Sequence, residues 1–279
     1  MFSIVFAGLI FTLMILISSK GVDHVFGDSV ISTISVEKFP QAIVFNPANN
    51  NIYVANTISN SISIIDSNTN TVIKEVDVGR DPVAIEFNPA NNNIYVANYG
   101  SGTVSAIGGS NQTLLGNTGV GTEPVALEFN PANNNIYVAN RDSGTVSIIE
   151  STNNTVINNL EMGLLPQAIV FNPANENIYV ANYGSGTVSI IGGSNQTLLG
   201  NTVVGTEPVA LEFNPANNNI YVANVVSNSV SIIDSINNDV SETVNINNVP
   251  LALTYNPSNN GTYITGTLTG TEGLVTLIH

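Results

Sequence analysis

Twelve residues, FNPANNNIYVAN, stand at 45–56 and recur unchanged at 87–98, 129–140 and 213–224. At 171–182 the copy differs only at Glu176, and a worn version, YNPSNNGTYITG, occupies 255–266. A proline precedes each copy by the same distance, at Pro40, Pro82, Pro124, Pro166, Pro208 and Pro250, so the period is 42 residues. Residues 28–279 number 252, six such periods. A fixed period of this length restricts a chain to architectures in which like units bury their faces against one another.

One period, PQAIVFNPANNNIYVANTISNSISIIDSNTNTVIKEVDVGRD, holds four short runs rich in Val, Ile and Tyr: AIVF, NIYVA, SISII and TVIKEVDV. Asn, Gly, Pro, Ser and Asp separate them. Runs of this length between such turn residues predict strands in an antiparallel meander, with Asn favoured in turns because it tolerates positive φ. No helical stripe with caps interrupts the repeats. Apolar residues on both strand faces, Ile43 and Phe45 against Ala42 and Val44, predict sheets covered on both sides. Four strands in about 42 residues predict a β-propeller blade.

The two ends of the chain complement each other. Residues 29–40, SVISTISVEKFP, align with the fourth run of a period, and LVTLIH at 274–279 aligns with the third. The expected fold is therefore an all-β, six-bladed propeller with four strands per blade. Its ring would be closed by the N-terminal strand pairing with a three-stranded C-terminal blade. An open solenoid of β-repeats is the alternative, and it would need caps instead of complementary ends.

The pattern NIYVAN…SISIID…TNTVIKEVDVG…P resembles the YVTN-type β-propeller repeat of archaeal surface-layer proteins and related secreted proteins. Tyr-Val-Ala-Asn stands here for the family's Tyr-Val-Thr-Asn at 53–56, 95–98, 137–140, 179–182 and 221–224. The following Ile-Asp is kept at 65–66 and 233–234, becomes Ile-Glu at 149–150, and becomes Ile-Gly at 107–108 and 191–192. The resemblance spans the repeats and implies a propeller in a cell-surface or secreted setting, without implying an activity.

Residues 2–17, FSIVFAGLIFTLMILI, form the long apolar run. With small residues following, 1–27 is expected to be a secretory signal, cleaved before Asp28 with Val25 and Gly27 at the recognition positions, or else an uncleaved membrane anchor. Residues 28–279 are the expected propeller. Its expected location is extracellular or at the cell surface.

Charge and residue types remove several classes of function. Twenty acidic residues face Lys20, Lys38, Lys74, Arg80 and Arg141, a net charge of −15 that would repel a phosphate backbone. There is no Cys, and the two His are His24 and His279. Thiolate metal sites, disulfides and imidazole-built centres lack their ligands. No cofactor is expected, with calcium as the one candidate.

The acids do show a pattern. Asp81, Glu123 and Glu207 precede three of the marker prolines, and Glu86, Glu128 and Glu212 follow the same prolines by four residues. All six are expected near one mouth of the channel, where carboxylates suit a cation. The stretch DSNTNT at 66–71 lacks the Gly and the final Glu of a calcium loop and is expected to be an Asx-turn. Asn56, Asn98, Asn140, Asn182 and Asn224 are expected to form turns, and Tyr53 and its equivalents to pack between blades. Gly108–Gly109 and Gly192–Gly193 make tight turns without the Lys of a phosphate loop. Asn111, Asn153, Asn195 and Asn260 each begin a glycosylation sequon.

Residues 98–140 recur at 182–224 with two changes, Ala106 to Ile190 and Gly119 to Val203. Catalytic groups differ from one another, so near-identical blades favour a non-catalytic envelope component or a scaffold binding protein, glycan or its own copies. No catalytic residue is expected on that reading. The alternatives are a carboxylate-based hydrolase or lyase at the axis and a calcium-dependent adhesion module. Propellers that resemble this one include lactone hydrolases and cyclic-ester lyases, which use acids and His around an axial metal.

Overall fold

The computed structural model describes residues 32–267 and 273–279. Six antiparallel sheets follow one another along the chain, each a meander in sequence order, and no helix occurs among the described residues. The first sheet is built from Pro40–Asn46, Asn51–Asn56, Ser61–Asp66 and Thr71–Asp77. It is blade 1; blades 2 to 6 occupy 82–119, 124–161, 166–203, 208–245 and 249–278. Blade 6 has three strands, Val249–Asn256, Gly261–Thr267 and Gly273–Ile278.

The hairpin register repeats from blade to blade. Phe45 faces Ile52 across the first two strands, Val44 faces Tyr53, and Tyr53 faces Ile64 on the third. A shift follows each marker proline, between Pro40 and Ala42 and at the matching point of every blade. Proline cannot donate to the ladder there, and the irregularity twists the strand as it enters the sheet.

Five apolar cores lie between successive blades. That between blades 1 and 2 joins Tyr53, Ala55, Ile62, Ile64 and Val76 to Ile94, Val96 and Ile107. The same positions recur between 2 and 3, 3 and 4, 4 and 5, and 5 and 6. Tyr53, Tyr95, Tyr137, Tyr179 and Tyr221 are fully buried in them. Burying each Ile or Val side chain contributes on the order of 2 kcal/mol.

The repeated asparagines hold these cores in place. Asn46 Oδ1 accepts the Ala48 N–H, closing an Asx-turn. Asn49 Nδ2 donates to Tyr53 Oη at 3.0 Å and to the Gly109 carbonyl of the next blade at 2.8 Å. Asn91, Asn133 and Asn175 repeat this with Tyr95 and Ser151, Tyr137 and Gly193, and Tyr179 and Ser235. A buried Tyr hydroxyl is thereby paired, and each blade is tied to its neighbour. Asn50, Asn92, Asn134 and Asn218 take φ between 56° and 61°, where Asn is tolerated.

Asn98 and Asn182 open the turns that follow them, as the sequence suggested, their carbonyls accepting the N–H of Ser101 and Gly102 and of Ser185 and Gly186, but the side chains of Asn56 and its equivalents do a second job. They are fully buried at strand ends, and Asn56 Nδ2 donates to Ser63 Oγ at 2.8 Å, which donates on to Glu75. Asn98–Ser105–Asn117 and Asn140–Ser147–Asn159 form the same row of bonds across three strands. The amide is the last residue of its strand, so periodicity cannot tell a capping position from a buried one.

Closure between blade 6 and blade 1 is not seen in the described residues. Residues 32–36 carry no strand, and 29–31 lie outside the described residues. Ile43 and Phe45 of blade 1 are 63% and 42% exposed, and Val275 and Leu277 of blade 6 are 65% and 41% exposed. Their counterparts in blade 2, Ile85 and Phe87, are packed against blade 1.

Candidate active site at the channel

The first strands of successive blades lie beside one another and line the axis. Each pairs with a second strand on one side only, so its inner edge carries backbone groups without a ladder partner. Glu128 answers one of these: its Oε1 accepts the Phe171 N–H, one blade on, at 3.1 Å. Glu212 does the same for the Tyr255 N–H at 3.0 Å. Glu86 occupies the equivalent place in blade 2, where blades 1, 4 and 6 have Val44, Val170 and Thr254.

These three glutamates interact. Burial in the channel raises Glu86 well above the usual carboxylate range, and the charge of Glu128 adds to the effect. Burial also pushes Glu128 up, to about 8; the Phe171 N–H opposes the shift and the Glu212 charge reinforces it. Glu212 is raised by burial against the pull of the Tyr255 N–H. Loss of water favours the neutral form of all three, and repulsion acts between Glu86 and Glu128 and between Glu128 and Glu212, so ionising one member of a pair opposes ionising the other.

Asp81, Glu123 and Glu207 sit elsewhere. They lie in the loops before the marker prolines, while Glu86, Glu128 and Glu212 are five residues further on, four of them along the strand past the proline, which is about 13 Å from the proline at the usual rise. The six acids expected at one mouth thus form two levels, an outer rim and an inner set. Among the described residues no group of three or more His, Asp or Glu side chains converges to hold a metal ion.

The rim backbone is strained. Phe39, Asp81, Glu123, Leu165 and Glu207 have φ between 54° and 59°, uncommon for any of these residues and further disfavoured before proline. Each is locked by its carbonyl, which accepts the N–H of the residue following Tyr-Val-Ala-Asn: Thr57, Tyr99, Arg141, Tyr183 and Val225 respectively. That following residue is the one sequence reasoning missed, because the repeat motif ends just before it. Its signal was variation: the motif is copied, and the next residue differs.

These side chains meet at the rim. Arg141 Nη1 lies 3.5 Å from Glu123 Oε2, and its Nε donates to Gln167 Oε1 at 3.1 Å. Tyr183 Oη donates to Glu207 Oε2 at 2.5 Å. Burial and its bonded neighbour Glu123 push the Tyr99 phenol up to about 12.

Other expected positions fall as follows. Asp66 Oδ1 accepts the Asn68 N–H at 2.8 Å, the Asx-turn read from DSNTNT. Asn111, Asn153 and Asn195 are exposed in the hairpins between third and fourth strands, and Asn260 is exposed in the first hairpin of blade 6. The apolar run at 2–17 lies outside the described residues.

Six meander sheets sharing inter-blade cores around an axis define a protein of the β-propeller class. Known structures agree on the fold. The chain is similar to Kuenenia stuttgartiensis hydrazine synthase (TM-score 0.68, 18% identity, 86% of this chain and 83% of that one). It is similar to virginiamycin B lyase from Staphylococcus aureus (TM-score 0.69, 11% identity, 86% and 84%). It is also similar to the dihydro-heme d1 dehydrogenase NirN in complex with DHE (TM-score 0.70, 10% identity, 84% and 54%), of which it spans about half the length. No protein-family model and no curated protein matches the chain.

The expectation of a non-catalytic scaffold, and with it of a protein that is not an enzyme, is corrected by these matches. The similar propellers bear the names of a synthase, a dehydrogenase and a lyase. The two near-identical stretches share their inner-strand and rim residues, Glu128 with Glu212 and Tyr99 with Tyr183; the six blades taken together differ there, with Val44, Glu86, Glu128, Val170, Glu212 and Thr254 on the inner strands and Thr57, Tyr99, Arg141, Tyr183 and Val225 at the rim.

Proposed function

We propose that the chain is a carboxylate-based hydrolase or lyase whose reacting groups are Glu86, Glu128 and Glu212. The observation that carries this reading is the interacting trio of partly buried glutamates on the axis, with Glu128 pushed up to about 8. Near neutral pH Glu128 holds a proton it can donate to a leaving oxygen. An ionised neighbour takes the complementary proton, from a water that attacks in hydrolysis or from a carbon beside the breaking bond in elimination. The names of the similar structures add support for chemistry on this fold, and the residues given these roles are this chain's own.

The test is turnover by the full chain on a panel of chromogenic glycosides, lactones and cyclic esters. Glu128→Gln should lower the rate of an accepted substrate by roughly 100-fold or more, the scale of general acid catalysis. No turnover of any class, or equal turnover by the variant, would refute the assignment.

We further propose that the protein is exported, that its repeats are of the YVTN surface-layer type, and that residues 29–36 complete blade 6. Three features support this: the apolar run at 2–17, the Tyr-Val-Ala-Asn repeats, and the two open faces at Ile43 with Phe45 and Val275 with Leu277. Export is tested by the N-terminal sequence of the secreted chain, expected to begin at Asp28. Strand completion is tested by hydrogen exchange at Ile34 and Val36; unprotected amides there would exclude it.

A further inference from the structure

Blades copied almost without change bring unlike residues together on the rim of blades 2 to 4. The residue after Tyr-Val-Ala-Asn is Tyr99 in blade 2, Arg141 in blade 3 and Tyr183 in blade 4. Each is anchored in the same way, its N–H bonded to the carbonyl before the marker proline, so the three stand at equivalent points of neighbouring blades. Glu123, Gln167 and Glu207 lie between them and bond to them. The Tyr99 phenol feels both Glu123 and Arg141. A cleft of about 380 Å³ opens beside this network, walled by Tyr183, Glu207, Thr206 and the glycines 184, 186 and 205. We propose that this rim cluster is a binding site for a neutral, polyhydroxylated ligand, a mono- or disaccharide.

The chemistry selects that class. The Arg141 guanidinium is matched by Glu123, the Arg80 guanidinium is turned to the Gly100 carbonyl with Asp81 beside it, and Glu207 leaves a carboxylate beside the cleft, so an anion meets no net positive charge. Planar donors and acceptors alternate around the cluster: guanidinium, carboxylate, amide and phenol. A vicinal diol needs that alternation, because each hydroxyl both donates and accepts. Arg141 has five N–H donors, enough to keep its present partners and bond a ligand as well. The Tyr183 ring offers an apolar face with a polar tip. The glycine wall lets a ligand approach the backbone, and the volume lies at the small end of the range for ligand pockets. Binding at the rim does not require the axial glutamates; delivery of a sugar to them would rest on the catalytic reading above.

A printed array of neutral and acidic oligosaccharides, probed with the full chain, tests the site, followed by calorimetric titration of the best neutral sugar. The expected result is binding to neutral glycans, weakened at least 10-fold by Tyr183→Phe and by Arg141→Lys, and unchanged in Glu128→Gln. Both rim substitutions keep side-chain bulk, and an unchanged melting temperature separates lost recognition from lost folding. Binding to acidic glycans alone, no binding at all, or binding untouched by both rim variants would overturn the proposal. Loss of catalysis with retained binding in Glu128→Gln would leave the rim site standing on its own.

Discussion

The carboxylate of Glu128 accepts a hydrogen bond at 3.1 Å from the backbone N–H of Phe171, 43 residues further on and one blade around the axis. The contact caps an edge that the meander leaves unpaired. It also places an acid where water is scarce and Glu212 is near. One residue thus links blade packing to the chemistry assigned to the channel.

Stability should therefore depend on pH in an unusual direction. The folded chain holds the Glu128 proton up to about pH 8, whereas the unfolded chain releases it near the ordinary value of 4.5. A raised folded value stabilises fully below the lower figure, and that stability is lost as pH rises through the higher one. Urea midpoints should fall between about pH 5 and 8, and Glu128→Gln should flatten that slope. A midpoint that climbs over this window by the same amount in both proteins would exclude the linkage.

Asn133→Ala should destabilise the fold by about 1–3 kcal/mol, because it leaves the buried Tyr137 hydroxyl and the Gly193 carbonyl short of a donor. Tyr137→Phe should cost less, about 1 kcal/mol, since it removes the hydroxyl rather than stranding it. Denaturant titrations of the two variants check the order.

Gly109→Ala would place a methyl 1.8 Å from the Asn92 carbonyl oxygen, at the turn where Asn49 ties blade 1 to blade 2. Backbone cannot yield cheaply there, and a loss of about 1–3 kcal/mol is expected. Gly116→Ala, which meets nothing within 4 Å, is the control and should leave the melting temperature almost unchanged.

Phe39→Gly should stabilise. Phe39 has φ of 59° and is 61% exposed, so the substitution removes left-handed strain and little burial. The strain is about 1–2 kcal/mol, and the added chain entropy of glycine offsets about 0.5–1 kcal/mol of it. A lowered melting temperature would show that the Phe39 side chain contributes packing.

The blades were legible in the sequence because strand period, turn residues and the 42-residue spacing all point the same way. Pro40–Asn46, Asn51–Asn56, Ser61–Asp66 and Thr71–Asp77 match the four runs read from one period. The acids at 86, 128 and 212 were legible as candidates, but their depth was not: five residues along the chain separate two environments that look alike in a list of charges. The buried side-chain role of Asn56 was not legible, because a strand-end amide and a turn amide look identical until the neighbouring Ser63 is placed beside it. Arg141 and the tyrosines flanking it went unseen because attention to the repeat passes over the residue that breaks it.

The most direct test of the axial site is a carbon-detected NMR titration of the glutamate side-chain carboxyls, with Glu86→Gln, Glu128→Gln and Glu212→Gln used for assignment. The expected result is a Glu128 carboxyl that titrates near pH 8 and shifts downward when Glu212 is replaced, with Glu86 also above the ordinary range and sensitive to Glu128. Three carboxyls titrating independently near pH 4.5 would show no interacting acids on the axis and would contradict the catalytic reading.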